Sequence, residues 1–117
     1  MEHIRDPAEG PWTSFDMGDG STFDFVFDVM ATGYTEAFSM DLVRVSPGAY
    51  SPPHIDGHSH AFFIVEGAAE IVIDGTVHDV AKGKIACIPK GATHSIRNAR
   101  PETLVMLTLY DPPRRRA

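Results

Sequence analysis

Imidazole and carboxylate side chains are concentrated in one short stretch of the sequence. His54, Asp56, His58 and His60 lie close together, and His94 follows much later in the chain. Residues two apart on an extended chain share a face, so we expect His54 and Asp56 to point the same way. Imidazole nitrogen and carboxylate oxygen suit iron, manganese, nickel, copper or zinc. His54, Asp56 and His94 therefore form a candidate facial triad, which leaves coordination positions open on the metal.

The same cluster has a second interpretation, because histidines in a polar loop can lie in solvent without binding a metal. Gly57 allows the chain to bend, so the spacing does not fix the direction of His58. We expect His58 at a pocket rim, behind the ligands, or in solvent. His78 is expected on a strand surface between two valines. Both interpretations of the cluster stay open at this level.

Short apolar runs separated by turn residues surround the histidines. Alternation of apolar and polar residues predicts strands, and the Asp74-Gly75 pair predicts a tight turn between two of them. The predicted strands span residues 22–30, 37–45, 61–66, 69–74, 77–80, 85–88, 93–97 and 103–110. No segment shows a helical stripe of useful length, so the chain is expected to form an all-β sandwich or barrel.

Two stretches resemble the two signature motifs of the cupin superfamily. Gly48, His54-Ile55-Asp56, His60 and Gly67 reproduce the spacing of the first motif, in which the central elements are His-x-His and a glutamate. Asp56 stands in place of the second histidine, and His60 stands in place of the glutamate. The ligand set is therefore the same in kind, but the carboxylate has moved.

The second motif is matched in both identity and spacing by Gly83, Pro89-Lys90-Gly91, His94 and Asn98. The resemblance implies an antiparallel double-stranded β-helix, or jelly-roll barrel. We expect a single domain over residues 1–117, with an N-terminal arm at 1–21 and the barrel core at 37–110. Residues 111–117 are expected to form a solvated basic tail that ends in Arg114-Arg115-Arg116.

The resemblance further implies that one divalent metal ion per chain is held by His54, Asp56, His60 and His94. Iron is the first expectation, and manganese, nickel, zinc and copper are the alternatives. A competing register would use His58 and His60 as the His-x-His pair. That register would need a carboxylate near residues 64–65, which are isoleucine and valine.

An apolar pocket is expected beside the metal, because alternate residues of each strand face the interior of a barrel. Catalytic roles are expected of His58 or Tyr50, either of which could move a proton. The predicted pocket residues are Met40, Phe62, Ile64, Ile85, Cys87, Ile96 and Met106. Core packing is the alternative role for each of these apolar side chains.

Three functions are compatible with these residues. A metal-dependent oxidoreductase of the dioxygenase type, acting on a small organic molecule, is placed first. A metal-dependent lyase or isomerase is the second, with the metal as Lewis acid. A non-catalytic module that binds a small molecule is the third. The resemblance also implies a homodimer, with which Trp12 and Phe15 of the N-terminal arm are compatible.

Charge and composition exclude other classes of function. The chain carries 10 basic and 16 acidic residues, a net charge of −6, which argues against a nucleic-acid partner. Cys87 is the only cysteine, so no intrachain disulfide can form. Residues 1–10 are charged and carry no apolar run, so we expect no signal peptide, no membrane span and a cytoplasmic location.

Overall fold

The computed structural model describes residues 1–114, in which a short 3₁₀ helix, Pro7–Glu9, is followed by ten β-strands. The strands are β1 (Thr13–Asp16), β2 (Thr22–Val26), β3 (Ser39–Val45), β4 (Tyr50–His54), β5 (Ser59–Glu66), β6 (Ala68–Ile73), β7 (Thr76–Ala81), β8 (Ile85–Ile88), β9 (His94–Arg97) and β10 (Leu104–Asp111). Over these 114 residues, no helix has the length and apolar character needed to cross a membrane.

The strands form two antiparallel sheets that face each other. The larger sheet has the order β1-β2-β3-β10-β5-β8, and the smaller has the order β4-β9-β6-β7. From β3 to β10 the chain passes between the two sheets at every connection except the β6–β7 hairpin. This alternation is the topology of a jelly-roll barrel and confirms the predicted fold class.

All eight predicted strands are present, with ends that differ by up to four residues. The largest difference is in β2, which stops at Val26 rather than at Met30; Asp28 then adopts a positive φ of 40°. The pattern missed β1 and β4, which are both edge strands. β1 is exposed along its whole length, so it has no apolar alternation. β4 contains two prolines, which sheets tolerate only at edges or bulges.

The hydrophobic core fills the space between the two sheets. Val43 and Val45 of β3, Ile64 of β5, Ile71 of β6 and Leu104 of β10 are each at most 1% exposed. Strand β10 alternates between buried and half-buried residues along its length, as expected for a strand with one face against the core. Burial of each such side chain contributes about 1.5–3 kcal/mol to stability.

Asn98, which directly follows β9, joins three segments of chain at one end of the barrel. Its side chain is fully buried, and its amide donates hydrogen bonds to the carbonyl oxygens of Val45 and Glu102 at 2.9 and 2.8 Å. Its Oδ1 accepts from the N–H of Arg100 at 3.1 Å. The Asn98 side chain therefore has partners for both its donor and its acceptor functions.

The N-terminal arm lies on the body of its own chain. β1 pairs with β2 at the edge of the larger sheet. The guanidinium of Arg44 lies 3.7 Å from the ring centroid of Trp12. Phe15 packs edge-on against Phe25 with ring centroids 5.6 Å apart. β1 thereby extends the larger sheet by one strand beyond β2.

Candidate metal centre

His54 and His94 face each other across the β4–β9 pair, with ring centroids 4.3 Å apart. The register pairs Ser51 with Ile96 and His54 with His94, so the Pro52-Pro53 pair contains one residue more than the partner strand. Such a bulge reverses the in–out alternation of a strand. Ser51 and His54 therefore both line the interior, although their odd spacing would otherwise place them on opposite faces.

Asp56 completes a group of three ligands from the loop between β4 and β5. One ligand atom from each of His54, Asp56 and His94 lies within 4.8 Å of the other two. The carboxylate is held from behind, because the backbone N–H of His58 donates to its Oδ1 at 3.0 Å. The structure thus brings together the two imidazoles and one carboxylate that the spacing suggested.

His60 approaches the same carboxylate from the opposite sheet. Its Nε2 lies 2.9 Å from each carboxylate oxygen of Asp56, a geometry in which the ring N–H donates to the carboxylate. Its Nδ1 is buried without a hydrogen-bond partner among the described residues. The expectation that His60 is a fourth metal ligand stays a prediction, because the group whose ligand atoms converge consists of His54, Asp56 and His94.

The surroundings of Asp56 and His60 favour an ionised carboxylate and a neutral imidazole, the protonation states that are found in metal centres. Burial raises the pKa of the Asp56 carboxyl, but hydrogen bonds from His60 and His58 outweigh it and hold the pKa below its usual value. Burial lowers the pKa of the His60 imidazole more than the neighbouring carboxylate raises it. At neutral pH we therefore expect a carboxylate at position 56 and a neutral ring at position 60.

The donor set fits a divalent transition metal. Two imidazoles and one carboxylate are borderline-hard ligands that suit iron, manganese, nickel, copper or zinc. Metal ligands are commonly oriented by hydrogen bonds from behind, which is what His60 and His58 supply to Asp56.

His54, His60 and His94 line a cavity of about 130 Å³ between the two sheets, whereas Asp56 is not among its lining residues. Its polar lining comes from Ser51, Thr108, Tyr110 and Arg114 besides the histidines. Its apolar lining comes from Phe23, Phe25, Val43, Phe62, Ile96 and Met106. Apolar side chains provide most of the exposed wall surface, and both sheets contribute to it.

Three of the predicted pocket residues, Phe62, Ile96 and Met106, line this cavity. Ile64 has the same inward direction as Phe62, but it is fully buried in the core and is not among the lining residues. The in–out alternation of β5 therefore assigned the correct face, and the position along the strand decides which side chain reaches the cavity.

Met40, Ile85 and Cys87 were expected in the pocket and lie on the outer side of the larger sheet instead. Ile85 is 58% exposed and Cys87 is exposed, whereas the intervening Ala86 is buried. In β3 the inward positions belong to the polar Ser39 and Asp41, and Met40 points outward between them. The sequence pattern placed Met40 in the interior because it is apolar, but the polar residues Ser39 and Asp41 occupy the inward positions of this part of β3.

The two candidate proton-transfer residues lie outside the cavity. The ring of Tyr50 stacks under the guanidinium of Arg97 at 4.4 Å on the other face of β4. His58 is half-buried, with its Nδ1 2.7 Å from the carbonyl oxygen of Pro112. Neither side chain lines the cavity, so the structure gives no support to a catalytic role for Tyr50 or His58. His78 is exposed on β7, as expected.

Four polar residues of the cavity, Ser51, Thr108, Tyr110 and Arg114, were missing from the predicted site. Thr108 and Tyr110 share the inward face of β10 with Met106, so the same alternation could have identified them. Arg114 was expected in a solvated tail, but it folds back onto Tyr110 and lines the cavity. No local pattern indicated this return of the chain. Arg115 and Arg116 lie outside the described residues.

Comparisons with known proteins agree on the fold. The family described as "Cupin domain" matches residues 41–110. An uncharacterised protein of Aquifex aeolicus is 29% identical over 85 residues, 73% of this chain and 69% of that protein. A predicted oxalate decarboxylase of Thermotoga maritima superposes with a TM-score of 0.80 at 16% identity, covering 93% and 98% of the two chains. The polyketide cyclase RemF of Streptomyces resistomycificus gives 0.76 at 20% identity, covering 95% and 80%.

Proposed function

Because the chain belongs to the cupin family, we propose that it is a metal-dependent oxidoreductase of the dioxygenase type acting on a small organic molecule. The observation that supports this proposal is the convergence of two imidazoles and one carboxylate within 4.8 Å. A facial group of this composition is typical of non-haem iron oxygenases, because it leaves coordination positions open. Iron is therefore the first choice of metal.

The protein's own residues would bind the metal, orient its ligands and shape the cavity. His54, Asp56 and His94 would hold the ion, which supplies one-electron chemistry with dioxygen when it is iron. His60 fixes the carboxylate through its Nε2, and this contact limits the rotation of Asp56. The apolar walls provide the contact surface for the body of a bound molecule in front of the ligands.

The proposal is tested without a known substrate by asking whether the site binds iron with an open position. Tag-free protein is loaded anaerobically with ferrous iron and exposed to nitric oxide, which binds open positions of such centres and produces an EPR signal. We expect this signal in the wild type and in the surface variant Asp79→Asn, and its loss in Asp56→Asn. An iron-loaded wild type that gives no nitrosyl signal would count against an oxygenase.

A metal-dependent lyase or isomerase is the second candidate. Two structural neighbours favour it, since one is a predicted oxalate decarboxylase and the other is a polyketide cyclase. In such an enzyme the metal would polarise a substrate carbonyl or carboxylate. Zinc, nickel or manganese in the purified protein, together with no oxygen uptake, would favour this function. If the protein binds a metal but turns over no carbonyl substrate, the third candidate function, a non-catalytic module that binds a small molecule, would be favoured.

The expected homodimer is also a proposal, and the outer side of the larger sheet provides a surface for it. We call this surface the outer face; it consists of Met40, Leu42, Ala61, Phe63, Ile85, Cys87, Leu107 and Leu109. Cross-strand pairs place these residues in two uncharged rows, in which Phe63 and Ile85 are 40% and 58% exposed. A second copy presents the same uncharged surface, as a two-fold interface requires.

Light scattering tests the dimer with a matched pair of variants. Ile85→Glu places a charge on the outer face, whereas Val77→Glu places one at an equally exposed apolar position on the smaller sheet. We expect a dimeric mass for the wild type and Val77→Glu and a monomeric mass for Ile85→Glu. Deletion of residues 1–21 is a poorer test, because it also removes β1 from the chain's own sheet. A monomeric wild type would contradict the proposal.

A further inference from the structure

Arg114 is fixed at the cavity although it comes from the end of the described chain. Its backbone N–H donates to the Oγ of Ser39 at 2.8 Å, and Ser39 is only 2% exposed. Its Nη1 donates to the hydroxyl oxygen of Tyr110 at 2.6 Å, and its guanidinium carbon lies 4.6 Å from the centre of the same ring. Backbone and side chain are thus each anchored, so the positive charge occupies a defined place in the cavity wall.

The guanidinium of Arg114 has donors to spare. A guanidinium carries five N–H donors, of which the hydroxyl of Tyr110 accepts one. No carboxylate in the described part of the chain forms an ion pair with Arg114, whereas Arg44 and Arg100 each pair with an aspartate. In a chain with a net charge of −6, an arginine without an acidic partner at a cavity is available for an anion.

Thr108 provides a second, independent polar group in the same cavity. It is 1% exposed, and its Oγ1 has no hydrogen-bond partner among the described residues. It lies two residues before Tyr110 on β10 and faces the same way. Buried hydroxyls are nearly always hydrogen-bonded, so the Thr108 hydroxyl in the cavity wall is available to a polar atom of a bound molecule.

The size and lining of the cavity limit what that partner is. A cavity of about 130 Å³ is close to the roughly 150 Å³ of an engineered cavity that accepts benzene. Phe62, Ile96 and Met106 provide the apolar contacts for a body of that size. Tyr110 contacts both His60 and Arg114. Its ring centroid lies 5.0 Å from that of His60, and its hydroxyl accepts a hydrogen bond from Arg114.

We infer that the cavity binds a small organic acid with its carboxylate on Arg114, its apolar body against Phe62 and Met106, and a further polar atom on Thr108. This inference rests on the proposed function and specifies its substrate class. Bidentate pairing of a guanidinium with a carboxylate fixes orientation as well as affinity. The acid is therefore held at the Arg114 side of the cavity while its other end reaches the metal ligands.

Isothermal titration with benzoate tests this inference, with benzamide as the uncharged probe of the same shape. Both are titrated into metal-loaded and chelator-stripped protein. Arg114→Gln removes the charge, and Arg100→Gln is the control because it removes an arginine charge from the surface pair with Asp79, away from the cavity. Thr108→Val removes the hydroxyl with little change in shape.

We expect benzoate to bind the wild type and Arg100→Gln, with or without metal, and to bind better than benzamide. Arg114→Gln should weaken benzoate about 10- to 100-fold, as expected for loss of a charged hydrogen-bonding partner, and leave benzamide unchanged. Benzoate binding that is unchanged in Arg114→Gln, or that disappears on removal of the metal, would overturn the carboxylate subsite. An absence of benzoate binding in the wild type would also overturn the carboxylate subsite.

Metal content separates this inference from the proposed function. Arg114→Gln leaves His54, Asp56 and His94 intact, so it should bind the same amount of iron as the wild type. Loss of benzoate selectivity at unchanged iron content supports the subsite. Failure of the wild type to bind iron, with arginine-dependent benzoate binding intact, would contradict the oxidoreductase and retain the acid-binding cavity.

Discussion

The two ends of strand β9 both place a polar side chain inside the barrel, but only one end leaves polar atoms unpaired. Asn98, just after β9, is fully buried, and both its donor and its acceptor functions have partners. His94, at the start of β9, lies beside a group that includes the unpaired Nδ1 of His60 and the unpaired Oγ1 of Thr108. The Asn98 end is closed by hydrogen bonds, and the His94 end is open to a ligand.

This difference separates structural polar residues from functional ones within a single short strand. A buried amide with all its partners contributes to stability and holds the chain together. Buried polar groups that no protein atom satisfies are available to a ligand or to water. The open end of the barrel is therefore where metal and substrate are expected, and the closed end supports it.

The largest expected effect is on metal binding at the open end. His94→Ala removes one of three ligands, so affinity for ferrous or zinc ions should fall by at least about 100-fold, more than is typical for loss of an outer hydrogen bond. The melting temperature of the metal-free protein should change little by comparison. Titration with a competing chromophoric chelator measures the affinity, and an unchanged affinity would contradict the assignment of His94.

The next effect is on stability at the closed end. Asn98→Leu keeps the branching of the side chain but leaves the carbonyl groups of Val45 and Glu102 without their donor. We expect unfolding to become easier by about 2–4 kcal/mol, as is typical when a buried hydrogen-bond network is broken. Urea denaturation at equilibrium measures this change. Metal affinity should stay within a few-fold of wild type in the folded protein, and its selective loss would contradict the separation of the two ends.

A smaller effect of the opposite sign is expected at the open end. Thr108→Val replaces an unpaired buried hydroxyl with a methyl group of similar size. Because none of the described residues forms a hydrogen bond with this hydroxyl, the variant should be as stable as the wild type or more stable by about 1 kcal/mol. The same denaturation experiment checks this, and a loss of stability comparable to that of Asn98→Leu would show that the two ends do not differ.

The smallest effect is expected for His58. Its side chain contacts the carbonyl of Pro112, and only its backbone N–H contacts Asp56. His58→Ala retains that N–H, so metal stoichiometry should be unchanged and affinity should fall less than about 10-fold, the lower end of outer-shell effects. A loss of metal equal to that of His94→Ala would make His58 a ligand and would support the competing register.

Much of the fold could be predicted from the sequence, because its strands carry strong local signals. Alternating apolar residues identified eight strands, and the second motif is matched in full from Gly83 to Asn98. The edge strands β1 and β4 escaped notice because one is fully exposed and the other contains prolines. Neither carries the alternation on which strand prediction depends.

The candidate site could be predicted only where local spacing determines it. His54 and Asp56 are close in sequence, and the motifs relate them to His94. The cavity lining was harder, because the face of β8 depends on its register with β5, which pairs Cys87 with the outward Ala61. The return of Arg114 onto Tyr110 depends on tertiary contacts with Ser39 that no neighbouring residue signals.

The most direct test of the central claim is the metal content of tag-free protein, measured by elemental analysis beside the Asp56→Asn variant. Asp56 lies at the centre of the group, in contact with His54 on one side and His60 on the other. We predict close to one equivalent of a transition metal per chain in the wild type after reconstitution, and a large loss in the variant. No bound metal in the wild type, or equal amounts in both proteins, would contradict a metal centre at His54, Asp56 and His94.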